Sequence, residues 1–214
     1  HTAENEPLEA NQLYEMMSYG LLPFLRMCRR LDSDTVPFKC ALVISPLLCE
    51  MLKSPFCQER YDAYLDRHIA FAQQKLQRAA GYPQEVLIRH YLDFLTQSRE
   101  DFNVLYKRDI LSGINSFAAK GCIELLATSA TPCFFPLYQD MPEALTAQIE
   151  QGLSSFRENF ATTPFGFWLP LMGYDAGVDR IIKSYGIDYT VLETQSFLFA
   201  DRPPVNGIFS AAMG

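Results

Sequence analysis

The chain reads as an α/β protein with parallel strands alternating with helices, and two observations carry that reading. Its strand-like segments are short and apolar on both faces rather than alternating, as in a sheet covered on both sides. Each is separated from the next by a stretch with helical periodicity, the pattern of strand–helix–strand crossovers. A third observation sets the scale. At 214 residues and 49% apolar composition the chain can bury a full core, as one domain or as part of a larger one.

From Glu9 to Leu31 the apolar residues Leu13, Met16, Met17, Leu21, Leu22 and Leu25 recur mostly three and four apart, which predicts an amphipathic helix. Pro23 removes a backbone donor there and predicts a break or kink near Leu21. Phe38 to Ile44 reads as a buried strand ending at Ser45-Pro46, and Pro46 suits the first position of a helix through Leu52. Glu59 to Gln97 is helical, with Tyr61, Tyr64, Leu65, Ile69, Phe71 and Leu76 near one stripe, and Gly81-Tyr82-Pro83 divides it in two.

Asp101 to Ser116 is read as a further helix, Cys122 to Leu126 as the second strand, and Met141 to Phe160 as a helix with Pro142 near its start. Phe165 to Leu169 follows as a strand. Asp175 or Asp179 opens a short helix that Gly186 ends. Ile187 to Leu192 is the next strand, and Phe197 to Phe199 a further short one. No internal repeat or low-complexity linker interrupts the chain.

The formal net charge of −7 argues against nucleic acid or an anionic membrane as a main partner, because both require clustered Lys and Arg. The basic doublets Arg29-Arg30 and Lys107-Arg108 read as solvated helix faces. No apolar run reaches the roughly 18 residues of a membrane span, and the polar, acidic start of the chain does not resemble a signal peptide. The six cysteines form no C-x-x-C pair and have no histidine at zinc-ligand spacing. The expectations are therefore a cytoplasmic protein with buried free thiols, no metal and no cofactor.

In parallel α/β folds the site lies at the carboxyl ends of the strands. That rule nominates Ser45, Thr128 to Pro132, Leu171 to Tyr174, and Glu193 to Ser196. Nucleotide-loop, nucleophile-elbow and H-E-x-x-H motifs are missing. His68 and His90 fall inside helices, so no histidine stands at a strand end to serve a nucleophilic Ser or Cys. Two carboxylates do occur in strand regions, Glu124 and Glu193. Paired carboxylates are what glycoside hydrolysis needs, although Glu124 reads equally well as a structural acceptor.

Several segments carry a family resemblance. Gly166-Phe167-Trp168-Leu169-Pro170-Leu171-Met172-Gly173-Tyr174 resembles the signature G-x-W-L-P-E-x-x-Y of glycoside hydrolase family 57, which includes the α-glucan branching enzymes. Gly121 to Leu137 is similar to its block G-x-[VI]-E-[IL]-x-x-x-x-A-T-H-x-x-[LF]-P-L. Ala147-Gln148-Ile149-Glu150-Gln151-Gly152 is similar to A-Q-I-x-x-G, Gly186 to Gln195 to G-I-x-Y-x-x-x-D-T-H, and Ser45 to Leu52 to S-P-x-L-x-x-M-L.

The resemblance implies a distorted (β/α)7 barrel, of which residues 1–214 would be a first part of a larger catalytic domain. In the family's pattern the general acid, an Asp, falls downstream of Gly214, and the first motif is missing or reduced to His1. The remainder of that barrel or a second copy of the chain would then cover the open sheet edges.

The resemblance also implies that the chemistry has changed. Leu171 stands where the family has its nucleophilic Glu, Pro132 where it has a substrate-contacting His, and Gln195 where it has another His; Glu193 replaces an Asp. Trp168, Phe167 and Tyr174 either stack on sugar rings or pack the core. Three functional readings follow: an inactive domain that binds α-glucan or maltooligosaccharides or regulates; an active branching or amylase-type enzyme using Glu193 or Glu124; and a non-carbohydrate interaction module marked by an exposed apolar patch.

Overall fold

The computed structural model of the protein describes residues 8–175 and 177–193. The described residues form two compact units, one made of the segment up to Cys40 together with Leu48–Glu124, the other of Ala41–Leu47 together with the chain from Leu125.

The first unit is helical. Leu8–Glu15 (α1) runs through a π-helical turn, Met16–Leu21, into Leu22–Ser33 (α2). Pro23 is the cause of the wide turn. It has no N–H to offer the carbonyl of Tyr19, and the ladder reorganises so that Leu22 N–H reaches back to Met17 O. The helix thus continues through the position where a kink was expected. Pro46–Lys53 (α3) starts at Pro46 as its sequence predicts.

Pro55–Arg78 (α4) and Gln84–Glu100 (α5) form an antiparallel pair, separated at Gly81-Tyr82-Pro83. Tyr61, Tyr64, Leu65 and Ile69 are buried along the expected stripe, but Phe71 is exposed and Lys75 rests over its ring. The Asp101–Ser116 segment is not one helix. A π-helical turn, Asp101–Leu105, closes α5; Lys107 and Arg108 then take left-handed φ values of 49° and 68°. Asp109 caps the new helix Ile110–Ala119 (α6), its side chain accepting from Ser112 N at 2.9 Å. The core of this unit centres on Tyr61, whose ring meets Phe102 edge-on at 4.9 Å and whose hydroxyl bonds Ser18 Oγ at 2.9 Å.

The second unit carries the sheet. Cys40–Val43 (β1), Ile123–Thr128 (β2), Gly166–Trp168 (β3) and Tyr189–Thr190 (β4) lie in the order β1-β2-β3-β4. β3 runs parallel to both β2 and β4, with Thr128 opposite Trp168 and Phe167 opposite Thr190. Leu125, Leu126 and Ala127 are buried on both faces, as their apolar run predicts, and Thr128 after them is buried too, whereas Glu124 before them is exposed. Between β2 and β3 lies Pro142–Asn159 (α7), which buries Leu145, Ile149, Leu153 and Phe156.

Val178–Ser184 (α8) links β3 to β4. Gly177, with φ 104°, precedes it in place of the expected Asp175 or Asp179; Asp179 instead reaches back to accept from Gly177 N at 3.2 Å. Gly186, with φ 82°, ends it as expected. The strand expected at Phe197–Phe199 lies outside the described residues. Among the described residues no helix is long and apolar enough to cross a membrane.

Candidate active site at the carboxyl end of the sheet

Three loops follow the carboxyl ends of β2, β3 and β4, and threonine hydroxyls tie the strand ends together. Thr128 Oγ1 donates to Trp168 O at 2.9 Å, and Thr190 Oγ1 donates to Phe167 O at 2.8 Å. β3, only three residues long, is therefore held from both sides at the point where its loop departs.

The loop after β2 is fixed by α7. Gln148 O accepts from Ala130 N at 2.9 Å, and Gln148 Oε1 accepts from Thr131 N at 3.0 Å and Thr131 Oγ1 at 3.1 Å. One turn along α7, Gly152 lies so close to the strand end that an added Cβ would sit 2.0 Å from Thr128 O. Within the loop, Ser129 Oγ donates to Thr131 O at 2.6 Å. These contacts give the A-Q-I-x-x-G segment its physical meaning: Gln148 grips the loop, and Gly152 lets the helix backbone approach β2. Pro132 projects from this loop as an exposed residue.

The loop after β3 makes a short turn, Pro170–Met172, with Met172 N bonded to Leu169 O at 3.0 Å and Gly173 N to Pro170 O at 3.1 Å. Leu171 (φ 55°) and Met172 (φ 54°) both take left-handed backbone, sparsely occupied by residues with a Cβ. Gly173 is wedged against the neighbouring loop, where a Cβ would come within 2.7 Å of the Phe134 ring and 2.9 Å of Pro136. Leu171, at the apex, is 71% exposed, although an apolar side chain gains nothing from water.

Of the aromatic candidates, Phe167 is fully buried and belongs to the core, meeting Phe135 at 6.3 Å. Trp168 is half-buried. Tyr174 is exposed, and burial of part of its ring pushes the phenol pKa up, with Asp179 and Asp175 adding to the shift. Glu193 is exposed three residues beyond β4, so a carboxylate does stand on this edge. Glu124 is also exposed, but it is the second residue of β2 and falls in the first unit. It lies about 13 Å along the strand from Thr128 at ~3.3 Å per residue. Gln195 lies outside the described residues. Among the described residues no group of three or more His, Cys, Asp or Glu side chains could hold a metal.

Sequence reasoning nominated these loops, Thr128 among them, and named Gln148 and Gly152 within a motif, but it assigned neither the grip of Gln148, nor the close approach at Gly152, nor the threonine clasps. Thr128 and Thr190 had a signal, since both occupy the last positions of short parallel strands, where side-chain oxygens meet free carbonyls.

Parallel strands, crossover helices and loops gathered at the strand ends define an α/β scaffold of the (β/α) barrel kind. The family model "Glycosyl hydrolase family 57" matches residues 10–213, and the chain belongs to that family. The α-amylase AmyC from Thermotoga maritima superposes with a TM-score of 0.87 at 28% identity, over 95% of this chain and 39% of that one. The family 57 branching enzyme of Pyrococcus horikoshii superposes with a TM-score of 0.84 at 21% identity, over 91% of this chain and 39% of that one. The 1,4-α-glucan branching enzyme of Thermococcus kodakarensis is 21% identical over 97% of this chain. The chain spans 32% of the length of that curated relative.

Proposed function

We propose that this chain is part of an α-glucan-binding family 57 barrel that no longer performs the family's displacement chemistry. The observation that carries the reading is Leu171. It sits at the exposed apex of the loop after β3, in a backbone conformation that is costly for a side chain with a Cβ, and it has no atom able to attack an anomeric carbon. Removing a nucleophile leaves only the rate that binding and electrostatics supply, orders of magnitude below the intact site. Sugar rings would stack on Tyr174 and the open part of Trp168, with Glu193 accepting from hydroxyls. Pro132 withdraws a polar contact from the loop after β2. Residues 1–214 then act as the first part of a larger domain, whose remainder covers the open side of the sheet.

Isothermal titration of the protein with maltooligosaccharides, run beside chain-length analysis of amylose after long incubation, tests this. Saturable heat with unaltered amylose is expected. Absence of heat at millimolar ligand removes glucan binding from the account. Shortened or branched chains that disappear in Glu193→Gln, or in Glu124→Gln, would instead establish an active enzyme working through that carboxylate.

One observation favours a second reading, a protein partner in place of sugar. Phe134, Leu137 and Leu171 are all exposed on the adjoining loops after β2 and β3. The double variant Leu171→Glu/Pro132→His separates the two. Polar replacements there preserve folding and glucan heat in a sugar cleft, whereas they abolish association with a partner that docks on the apolar side chains.

A further inference from the structure

Tyr19 lies in the π-helical turn between α1 and α2, in the first unit, and is 48% exposed. Its ring is stacked on Phe94 of α5, with centroids 5.3 Å apart and planes 7° from parallel. A parallel neighbour covers one face of a ring, so the exposure belongs to the other face and the edges. The far end of the ring is pinned as well. Tyr19 Oη is 3.1 Å from Tyr91 Oη, which is 3.4 Å from His68 Nδ1, and the Tyr64 hydroxyl adjoins the same Tyr19 oxygen. Burial is the first cause that raises the Tyr19 phenol and holds Tyr91 up to about 12, so both keep their protons and their places in this chain at neutral pH.

Packing accounts for the covered face of Tyr19 and leaves the open face without a role. Two neighbours make that face usable. Glu15 is exposed one turn earlier on the same side of the helix, and its charge acts on Tyr19, Tyr64, Tyr91 and His68. Gly20 is exposed in mid-helix, where an added Cβ would meet nothing nearer than Met16 Cγ at 3.7 Å. Glycine weakens a helix, and no packing here requires one. Its missing side chain leaves bare backbone beside Tyr19, open to close approach.

A flat aromatic face beside a carboxylate suits a pyranose ring, whose C–H face lies on the aromatic ring while its hydroxyls donate to the carboxylate. Glu15 would repel an anion, and a wholly apolar ligand would strip water from that carboxylate without replacing it. Because Phe94 and Tyr91 already hold the ring, binding orders little that is not fixed in advance. We propose that the open face of Tyr19, with Glu15 and Gly20 beside it, is a surface contact for a neutral α-glucan chain, in the unit that does not carry the loops after β2, β3 and β4. The choice of glucan among neutral sugars rests on the function proposed above, whereas the contact itself rests on the geometry of Tyr19.

The test is hydroxyl-radical footprinting of the full chain with and without maltoheptaose, read by mass spectrometry and normalised to the exposed Tyr82. Maltoheptaose should slow oxidation of Tyr19 by roughly threefold or more, in wild type and equally in Tyr174→Ala, which alters only the loop after β3. The concentration giving half protection should rise roughly fivefold in Glu15→Ala and in Gly20→Gln, two changes that leave the stack on Phe94 in place. Equal half-protection concentrations in wild type and Gly20→Gln would overturn the contact. Unprotected Tyr19 together with saturable heat that vanishes in Tyr174→Ala overturns it too, and leaves the function proposed above standing. Protection of Tyr19 with heat unaltered by Tyr174→Ala supports the contact and removes stacking on Tyr174 from that function. Neither heat nor protection in wild type overturns both.

Discussion

Replacing Gly152 by Ala tests how the loop after β2 is built. The new Cβ would meet Thr128 O at 2.0 Å and Ser129 C and Cα at 3.0 Å, all of them backbone atoms that no rotamer change can move aside. A carbon–oxygen contact relaxes at about 3.3 Å, so α7 and the end of β2 must separate by roughly 1.3 Å. That shift breaks the hydrogen bonds from Ala130 N (2.9 Å) and Thr131 N (3.0 Å) to Gln148, which become too long to count as bonds. Overpacking costs about 1–3 kcal/mol, and each lost bond about 0.5–1.5 kcal/mol. Against these, the helix gains about 1 kcal/mol when Ala replaces Gly. The expected net loss is about 2–4 kcal/mol, or roughly 5–15 °C in melting temperature for a chain of this size. Urea denaturation followed by circular dichroism measures it. Gly20→Ala is the control: its Cβ would meet nothing closer than Met16 Cγ at 3.7 Å, so its stability should hold or rise slightly. A Gly152→Ala protein within 0.5 kcal/mol of wild type would refute the close approach of α7 to β2.

Three further outcomes follow from the same geometry. Leu171→Gly relieves an exposed left-handed position worth about 1–2 kcal/mol while loosening the unfolded chain by about 0.5–1 kcal/mol. Stability should therefore hold or rise by up to about 1 kcal/mol in the same urea assay, where Leu171→Val should lower it. Arg26→Ala leaves the Asp101 carboxylate, whose side chain is 4% exposed, without its cation and with Gln97 Nε2 as its remaining donor at 3.1 Å, and should cost about 2–3 kcal/mol by thermal unfolding after allowance for the partial exposure of Arg26. His68 is held below its ordinary pKa of 6.5, first by burial and then by Arg67, so the unfolded chain takes up the proton first. The stability it lends is present above about pH 6.5 and is lost as pH falls through the lower folded pKa; melting temperatures measured from pH 7.5 to 5 should decline less steeply in His68→Gln.

Local chemistry explains which parts of this fold could be read from sequence. Pro46 opens α3, Gly81-Tyr82-Pro83 separates α4 from α5, and Gly186 ends α8, each through a residue whose backbone preference needs no tertiary context. The apolar run Leu125-Leu126-Ala127 of β2 likewise reported two-sided burial, although Glu124 just before it is exposed. What escaped depends on context. Lys107 and Arg108 take left-handed backbone with neither Gly nor Asn to signal it, so the break before α6 read as continuous helix. Phe71 matched the α4 stripe yet remains in water, because periodicity records a face and not the width of what covers it. At the candidate site, the strand-end rule found the loops, and the A-Q-I-x-x-G segment was visible as a pattern. Its hydrogen bonds exist only once α7 folds beside β2.

The frame around Leu171 has reasons to persist that do not involve catalysis. At Gly166 a Cβ would strike Leu126 at 2.2 Å and the Tyr189 ring at 2.5 Å. At Gly173 it would strike Phe134 and Pro136. The carbonyls of Phe167 and Trp168 are claimed by Thr190 and Thr128, and Leu169 is completely buried. The hydrogen bonds hold the backbone, and packing holds Gly166, Phe167, Leu169 and Gly173, so substitution at these four carries a cost in stability whether or not the loop does chemistry. Residue 171 is different: its side chain stands in solvent, and only its backbone is constrained. Pro132 and Glu193 are likewise exposed on neighbouring loops. Substitutions at such exposed positions meet little resistance from the fold, whereas substitutions at the glycines and buried residues between them do. A motif that keeps its frame and changes its apex therefore reports an intact loop after β3, and the chemistry of that loop has to be judged from the apex alone.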